Sequence, residues 1–395
     1  MSYSLSRNQL LYDLYIAFEC AKRHKTTKEY VKRFEEDLNV NLNELCDELY
    51  ERRYKPQPSI CFIITDPKKR EIFAANFRDR VVHHLYYNYT YTLFNSTFIE
   101  DSYSCRVGKG THYGVDSLEN HIKSVTDKYK KRGYVLKMDI MGYFIHINRL
   151  RLLEITNETF DRMYTHKVCG SNGKYHYCDI IDFDFLRYLN ELLILLDPTE
   201  GCIFRSPVSA WKTLPKSKSL FFTDINCGIP IGNLTSQLFS NVYMNVFDQY
   251  VKRVLKCRHY GRYVDDFYIV DTDRKKLLGY VPEIAKFLKE NFKLDINQGK
   301  TQLYNTDSGV PFLGMYLKPY RRYVSNRCLK RMNGKLSEIN VNTVMDKDIE
   351  CSINSMLGIF THCNSYNVKV NLMNNYKVLQ YYGYFNEDYS HFNVF

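Results

Sequence analysis

The chain has 395 residues, 45% hydrophobic and 25% charged, and its 55 Lys and Arg against 44 Asp and Glu give a formal charge of +11. That length suffices for about two or three domains with a substantial core, and the composition excludes a disordered chain, a collagen and a coiled-coil rod. No uncharged apolar run approaches the ~18 residues of a membrane span, and the polar start lacks a signal-peptide core. We therefore expect a cytoplasmic protein with no membrane partner, its 12 scattered Cys, without a CxxC pair, mostly buried as reduced thiols.

In chain order, Leu10, Leu11, Leu14, Ala17, Phe18 and Ala21 sit at helical spacing, and Tyr30 to Tyr50 repeats the pattern through Val31, Phe34, Leu38, Leu42, Leu45 and Leu49. The period then changes. Ile60 to Thr65 reads as a strand, Pro67-Lys68-Lys69 as a turn and Arg70 to Ala74 as a returning strand, followed by a helix from Asp79 to Leu93. Tyr134 to Ile140 is a strand that ends at Asp139. Phe183 to Leu196 is an apolar helix stopped by Asp197-Pro198. A long helix is expected over Leu234 to Leu255, two short strands around Asp265-Asp266, an amphipathic helix over Lys275 to Phe292 despite Pro282, and a strand or hairpin over Gly309 to Leu317. Residues 326–395 read as mostly helical. There is no repeat, low-complexity tract or long linker, and the mixture of helices with antiparallel strands reads as α+β.

The basic excess fits a polyanionic partner. The 35 Tyr and 24 Phe supply ring faces for base stacking, although core packing is their ordinary use. The sharpest local feature is Tyr263-Val264-Asp265-Asp266-Phe267. Asp is common in turns, but two like charges at the tip of buried strands raise each other's pKa and call for a countercharge. Asp139, at the end of its own strand, is a third carboxylate able to meet them. Three such groups can hold two Mg²⁺ ions about 4 Å apart, an arrangement suited to phosphoryl transfer. Gly228-Ile229-Pro230-Ile231-Gly232-Asn233-Leu234-Thr235-Ser236-Gln237 is a turn feeding a helix, in its plainest reading a Gly/Pro turn and an N-capped helix.

Gly299-Lys300-Thr301 is not a phosphate-binding loop, because Leu294 stands where such a loop needs its first Gly. His166, Cys169, His176 and Cys178 contain zinc-ligand types. Their spacing matches no common zinc pattern, and Gly170-Ser171-Asn172-Gly173 reads as a plain hairpin loop.

Taken in order, Asp139, the Gly228–Gln237 segment and Tyr263–Phe267 resemble the palm motifs of reverse transcriptases. Pro67-Lys68-Lys69-Arg70 with Phe77–Val82 resembles the fingers block, and Arg106-Val107-Gly108-Lys109-Gly110-Thr111 the template-side block. Lys300 resembles the lysine of the next palm motif and Phe312-Leu313-Gly314 the primer grip. The resemblance spans about residues 55–320. Ile231 and Gln237 stand where most members have Gln and Pro. With Leu214–Phe221, the pattern is similar to reverse transcriptases of diversity-generating retroelements, which copy a template RNA and misincorporate opposite adenines. An apolar Ile231 would remove polar contacts to the incoming nucleotide, a physical route to lower fidelity.

The resemblance implies roles for individual residues. Asp139, Asp265 and Asp266, helped by the Ile140 carbonyl, would ligate two Mg²⁺ ions, with Mn²⁺ as a substitute. Arg70, with Lys68 or Lys69, would clamp the triphosphate of a dNTP. Phe144, five residues after Asp139, would exclude a 2′-hydroxyl, and Ile231, Gly232 and Gln237 would lie against the nucleotide. Lys300 would protonate pyrophosphate. Arg106, Lys109, Phe312, Leu313 and Gly314 would hold template and primer. The basic residues Arg321, Arg322, Arg327, Lys330, Arg331 and Lys335, with Tyr320 and Tyr323, are either a solvated helix face or a grip on an RNA–DNA duplex.

The implied fold is a right-hand polymerase: residues 1–54 an N-terminal helical extension, 55–133 fingers, 134–149 and 226–319 palm, 150–225 a fingers-like insertion, and 320–395 a helical thumb. The implied function is RNA-directed DNA polymerase, a nucleotidyltransferase, error-prone at template adenines in a diversity-generating retroelement. Its partners would be template RNA, RNA–DNA duplex, dNTPs and a small basic pentameric accessory protein. Two alternatives stand beside it. One is another bacterial reverse transcriptase of retron, group II intron-like or phage-defence type; the other is a catalytically inert RNA-binding scaffold on the same fold.

Overall fold

The computed structural model describes residues 3–66, 68–170, 173–339 and 347–395. Ser6 opens the first helix: its hydroxyl accepts the Gln9 amide and caps α1 (Arg7–Lys22). The chain continues through α2 (Glu29–Glu36), α3 (Leu38–Tyr50), β1 (Ile60–Ile64), β2 (Arg70–Ala74), α4 (Phe77–Asn95), α5 (Thr111–Val125), β3 (Tyr134–Asp139), α6 (Tyr143–His146) and α7 (Arg149–Tyr164). Next come β4 (Lys167–Gly170), β5 (Gly173–His176), α8 (Phe183–Leu195), β6 (Ile203–Phe204) and α9 (Leu234–Gln249), which runs on into a π-helical turn, Tyr250–Val254. The remainder is β7 (Tyr260–Tyr263), β8 (Asp266–Asp271), α10 (Arg274–Phe292), β9 (Gln302–Asn305), β10 (Val310–Phe312), β11 (Met315–Lys318), β12 (Arg321–Val324), α11 (Asn326–Ser337), α12 (Lys347–Phe360), α13 (Tyr366–Asn374), β13 (Gly383–Phe385) and β14 (Phe392–Val394). This is a mixed α+β fold.

The chain divides into two units. The first comprises Met1–Arg106, Ile140–Lys256 and Pro282–Asn297. Its core gathers on α4 and α9, and α1 buries Leu10, Leu14, Ala17, Phe18 and Ala21 where it packs against α4 and α3. Tyr86 in α4 donates to Asn190 Oδ1 at 2.8 Å, and Asn190 donates onward to Thr156 Oγ1 at 2.7 Å, so a buried polar chain ties α4, α8 and α7. A three-stranded sheet has the order β2-β1-β6, with β1 antiparallel to β2 and parallel to β6.

The second unit comprises Val107–Asp139, Cys257–Val281 and Gln298–Phe395. Its centre is a four-stranded sheet, β7-β8-β3-β9, antiparallel throughout. The strands read Val-Leu-Lys-Met and Phe-Tyr-Ile-Val, and Val135, Leu136, Met138, Phe267, Tyr268, Ile269 and Val270 are all buried. The C-terminal helices close over their own apolar cluster, centred on Met332, Leu336, Ile353, Leu357 and Leu379.

Several expectations need correction. The continuous apolar period over Tyr30–Tyr50 is two helices, broken at Asp37 (φ −114°, ψ 39°). The long helix of 234–255 loses its α-helical form at Tyr250. Arg321 and Arg322 lie on strand β12, not a helix, and the mostly helical C-terminal stretch ends in a β13–β14 hairpin. The cysteines are less buried than expected. Cys46, Cys61 and Cys257 are buried, but Cys105 and Cys351 are exposed and the others described are half-buried. His166 and Cys178 flank the β4–β5 hairpin, His176 ends it, and the side chain of Cys169 and the loop residues Ser171 and Asn172 lie outside the described residues, as does Pro67.

Arg322 is the electrostatic tie of the second unit. Its guanidinium pairs with Glu119 and, at 2.5 Å, with Asp116, both on α5, while its backbone exchanges hydrogen bonds with Asn364. Burial raises the Glu119 pKa, but the hydrogen bonds from Lys123 and Arg322 outweigh that and hold it below the usual carboxylate value. A depressed folded-state pKa stabilises above the unfolded value, and the benefit disappears as pH falls through the folded one. Arg322→Met is expected to cost about 2 kcal/mol at pH 7 and much less at pH 3. Urea unfolding at both pH values checks this; an equal loss at both would disprove the charge pairing.

Candidate active site

Antiparallel register builds the acidic centre. Asp139 and Asp266 are direct cross-strand partners on β3 and β8, so their side chains leave the same face of the sheet. Tyr263 pairs with Asp266, which leaves Val264 and Asp265 as a two-residue turn. Val264 has φ 57°, a conformation that costs a β-branched residue about 1–3 kcal/mol. The turn is held from below by Arg262, which is 1% exposed and donates from Nη1 to the Val264 carbonyl at 3.0 Å.

Two lysines answer the acids. Lys300 donates to Asp139 Oδ2 at 2.6 Å. Lys137 is two residues before Asp139 and so on the same face; its Nζ lies 3.5 Å from Asp266 Oδ2 and 5.3 Å above the Phe312 ring. The repulsion still shows. Burial, then the Asp139 charge and then that of Asp266 push the Asp265 pKa up to about 6 against the opposing pull of Lys300. Burial and Asp139 also raise Asp266, although Lys137 and Lys300 oppose them. Among the described residues no three His, Cys, Asp or Glu side chains are close enough to form a ready-made metal cage. The donor set nevertheless suits a hard divalent cation, because hard cations take carboxylate oxygens and would remove this repulsion.

The residues expected near a nucleotide gather in the first unit through main-chain contacts. Phe73 N on β2 donates to Ile231 O at 3.1 Å, and Ala75 N donates to Asn233 Oδ1 at 2.9 Å. Gly232 has φ +136°, and a Cβ there would lie 2.9 Å from Phe73 O, so only glycine fits this approach. The expected side-chain cap of α9 is absent: Asn233 is its N-cap residue, but its Oδ1 accepts from Ala75, just after β2, instead. Ile229 N donates to Phe144 O at 2.9 Å and Gly228 N to Ile147 O at 2.8 Å, which joins the α6 segment to the same turn. Phe144 and Ile231 are half-buried, whereas Arg70 and Gln237 are exposed. Lys68 is exposed, and Lys69 donates to Thr213 Oγ1 at 2.5 Å. Ile140 begins the stretch of chain assigned to this unit and forms a bridge with Ile296.

The expected template and primer residues are placed as follows. Arg106 directs its guanidinium inward to Asn95 Oδ1 at 2.8 Å and to the Ile99 and Ser102 carbonyls at 2.6 and 2.9 Å. Lys109 lies 4.9 Å above the Tyr113 ring. Phe312 is buried edge-on to Tyr268, and Leu313-Gly314 (φ 45° and 87°) is the two-residue turn between β10 and β11.

The sequence matches the family described as reverse transcriptase (RNA-dependent DNA polymerase) over residues 65–317. The chain belongs to this reverse transcriptase family. It is 24% identical over 315 residues to Protein YkfC of Escherichia coli strain K12, covering 70% of this chain and 71% of that one. Among solved structures it is similar to apo telomerase from Candida tropicalis (12% identity, TM-score 0.49, 82% of this chain and 58% of that one). It is also similar to telomerase from Candida albicans in complex with a fragment of telomeric RNA (11%, TM-score 0.46, 84% and 57%). The chain thus spans a little over half the length of these telomerase chains. No described helix is long and apolar enough to cross a membrane.

Reading the sequence singled out the three acids but missed Lys137, Arg262 and the long-range partner of Asn233. Lys137 was visible as the i−2 neighbour of Asp139. Arg262 was visible as a charge inside an apolar strand pattern, the kind of residue that is buried only with partners. The bond from Ala75 to Asn233 gave no signal, because the two lie 158 residues apart.

The raised Asp265 pKa makes a stability prediction for metal-free protein. A raised carboxyl favours the neutral form in the folded state, so stability falls as pH climbs from the ordinary 3.8 through about 6. The shift allows up to about 3 kcal/mol, which solvent at the half-buried turn trims to about 1–2 kcal/mol. In EDTA at pH 7, Asp265→Asn is expected to unfold at a higher temperature than the parent chain, the gap closing below about pH 4. Identical melting at pH 7 would show that the acids are not in conflict.

Proposed function

We propose that this reverse transcriptase copies a template RNA into cDNA and does so with errors concentrated at template adenines, as part of a diversity-generating retroelement. The observation that carries the polymerase reading is the alignment of Asp139 with Asp266 and the Asp265 turn at one end of the β7-β8-β3-β9 sheet. A scaffold that only bound RNA would gain nothing from three mutually repelling carboxylates.

When bound, two Mg²⁺ ions held by Asp139, Asp265, Asp266 and the Ile140 carbonyl would activate the primer 3′-hydroxyl and neutralise the triphosphate. Mn²⁺ is the expected substitute. Lys300, already donating to Asp139, holds a proton at Nζ for the departing pyrophosphate. Arg70, on the exposed first position of β2, offers a planar fork for phosphate oxygens, with Lys68 or Lys69 as a second charge. The Phe144 ring would exclude a 2′-hydroxyl, and Ile231, Gly232 and Gln237 would line the nucleotide. Phe312, Leu313 and Gly314 would carry the primer, and Arg106 and Lys109 the template.

The subtype rests on Ile231 and Gln237. An apolar side chain offers the incoming nucleotide shape but no hydrogen bond, so a mispair loses less there than it would against a polar group. A small basic pentameric accessory protein, a structured template RNA and a cytoplasmic setting belong to the same proposal.

Extension of a primed RNA template with dNTPs and Mg²⁺, followed by product sequencing, tests both levels. Asp265→Ala is expected to lower the rate at least 10³-fold while RNA binding persists. Loss of binding with no synthesis by the parent chain, even with its native RNA and accessory protein, would favour the inert scaffold. Ile231→Gln is expected to reduce errors opposite adenine several-fold. Unchanged errors would remove Ile231 from the explanation, and accurate synthesis by the parent chain would point to another bacterial reverse transcriptase.

A further inference from the structure

Residues 203–223 contain no Asp or Glu but do contain Arg205, Lys212, Lys216 and Lys218. The same stretch exposes large apolar side chains: Phe204 is 48% exposed, Val208 73% and Phe222 60%. A soluble surface does not usually show so many rings without a partner.

The stretch is anchored firmly. Ile203 N and Arg205 N donate to the Ser59 and Cys61 carbonyls, both at 2.8 Å, which extends the β1 edge. Buried Glu71 on β2 accepts from Trp211 Nε1 at 2.6 Å, Ser219 Oγ at 2.9 Å and Leu220 N at 2.7 Å. Phe221 packs on Phe73 at 5.5 Å. A carboxylate with this many donors fixes the segment at three points along its length.

The anchoring presents the rings in a fixed arrangement. Phe204 stacks on Phe221 with centroids 5.7 Å apart and planes 14° apart, and Trp211 meets Phe204 edge-on at 5.2 Å. Lys216 Nζ sits 5.1 Å over Phe222. Pre-ordered aromatic faces beside exposed Lys and Arg, in a stretch with no carboxylate of its own and with Glu71 buried beneath it, match the chemistry of single-stranded nucleic acid: bases stack on rings and phosphates meet amines. A protein partner is a poorer match, since lysine is depleted from the centres of protein interfaces.

We infer that Phe204, Trp211 and Phe222, with Arg205, Lys216 and Lys218, form a platform that binds a single-stranded stretch of nucleic acid without reading its sequence. The inference rests on binding chemistry, independent of the polymerisation step and of the retroelement reading.

The test uses the full chain and a fluorescein-labelled 20-nucleotide oligo(U) RNA in anisotropy titrations across a salt series, with oligo(dT) and a blunt RNA hairpin alongside. Phe204→Ala/Phe222→Ala is expected to weaken oligo(U) and oligo(dT) at least tenfold with the hairpin unaffected. Lys216→Gln/Lys218→Gln is expected to flatten the salt dependence by a slope of about 1.4. Tyr12→Ala, an exposed ring elsewhere, serves as control, and unchanged melting shows that each variant is folded. A 4-thiouridine oligonucleotide is expected to crosslink within 203–223, which separates this platform from any other nucleic-acid site on the chain. Folded variants with parental affinity and no crosslink in this stretch would overturn the inference. So would a change confined to self-association in sedimentation, which would make the face an interface between copies.

Discussion

Like-charge repulsion at the end of one sheet is the constraint on which the second unit depends. Asp139 and Asp266 face each other across a cross-strand pair, with Asp265 on the adjoining turn. Left alone, such a cluster would favour protonation or strand separation. The surrounding residues act against both. Lys300, just before β9, and Lys137, on the same strand as Asp139, supply opposing charge. Arg262 fixes the turn by its carbonyl, so Val264 stays at a positive φ that its branched side chain would otherwise leave. Lys137 is itself held over the Phe312 ring, so the Phe312-Leu313-Gly314 turn and the acids share one cation. The raised Asp265 pKa measures what those amines leave uncompensated. A site with residual repulsion is one that a divalent cation would enter favourably.

The first unit solves a different problem by different means. There the backbone, more than charge, fixes the expected nucleotide residues. Phe73 on β2 and Ala75 just beyond it bond to Ile231 and Asn233, and Gly232 allows the two segments to approach closely enough. The consequence is that Arg70 and Ile231 belong to one hydrogen-bonded assembly although they are far apart in sequence. His83 Nδ1 on α4 and Thr235 Oγ1 on α9 meet at 2.7 Å, and burial lowers the His83 pKa to about 3, so this link stays neutral. A charge-free linkage holds its geometry across the physiological pH range.

Local chemistry was legible in the sequence and long-range satisfaction was not. Asp265-Asp266 between apolar strands, the turn at Gly232 and the strand ending at Asp139 all announce themselves, because each conflicts with an ordinary local preference. The break at Asp37 does not: hydrophobic period reports which faces are buried, and α2 and α3 bury faces that keep the same period across it. β12 was hidden because Arg321 and Arg322 look like a solvated helix, while their strand is selected by pairing with β11 and by the acids of α5. The contacts of Glu71 and Asn233 carry no local mark, since their partners lie more than a hundred residues distant.

The same distinction bears on how specificity can change within this family without loss of the fold. The bond that fixes position 231 is made by its carbonyl, which accepts from Phe73 N whatever side chain is present. The bond that fixes Asn233 is made by its side chain, and the approach at Gly232 requires the absence of one. Positions 232 and 233 are therefore structurally committed, while 231 is free to vary in chemistry. A half-buried Ile at that position neither clashes nor leaves a polar group unsatisfied, so its cost to stability is small. The side chain at 231 can therefore change while the hydrogen bonds and the close approach that hold the turn stay intact.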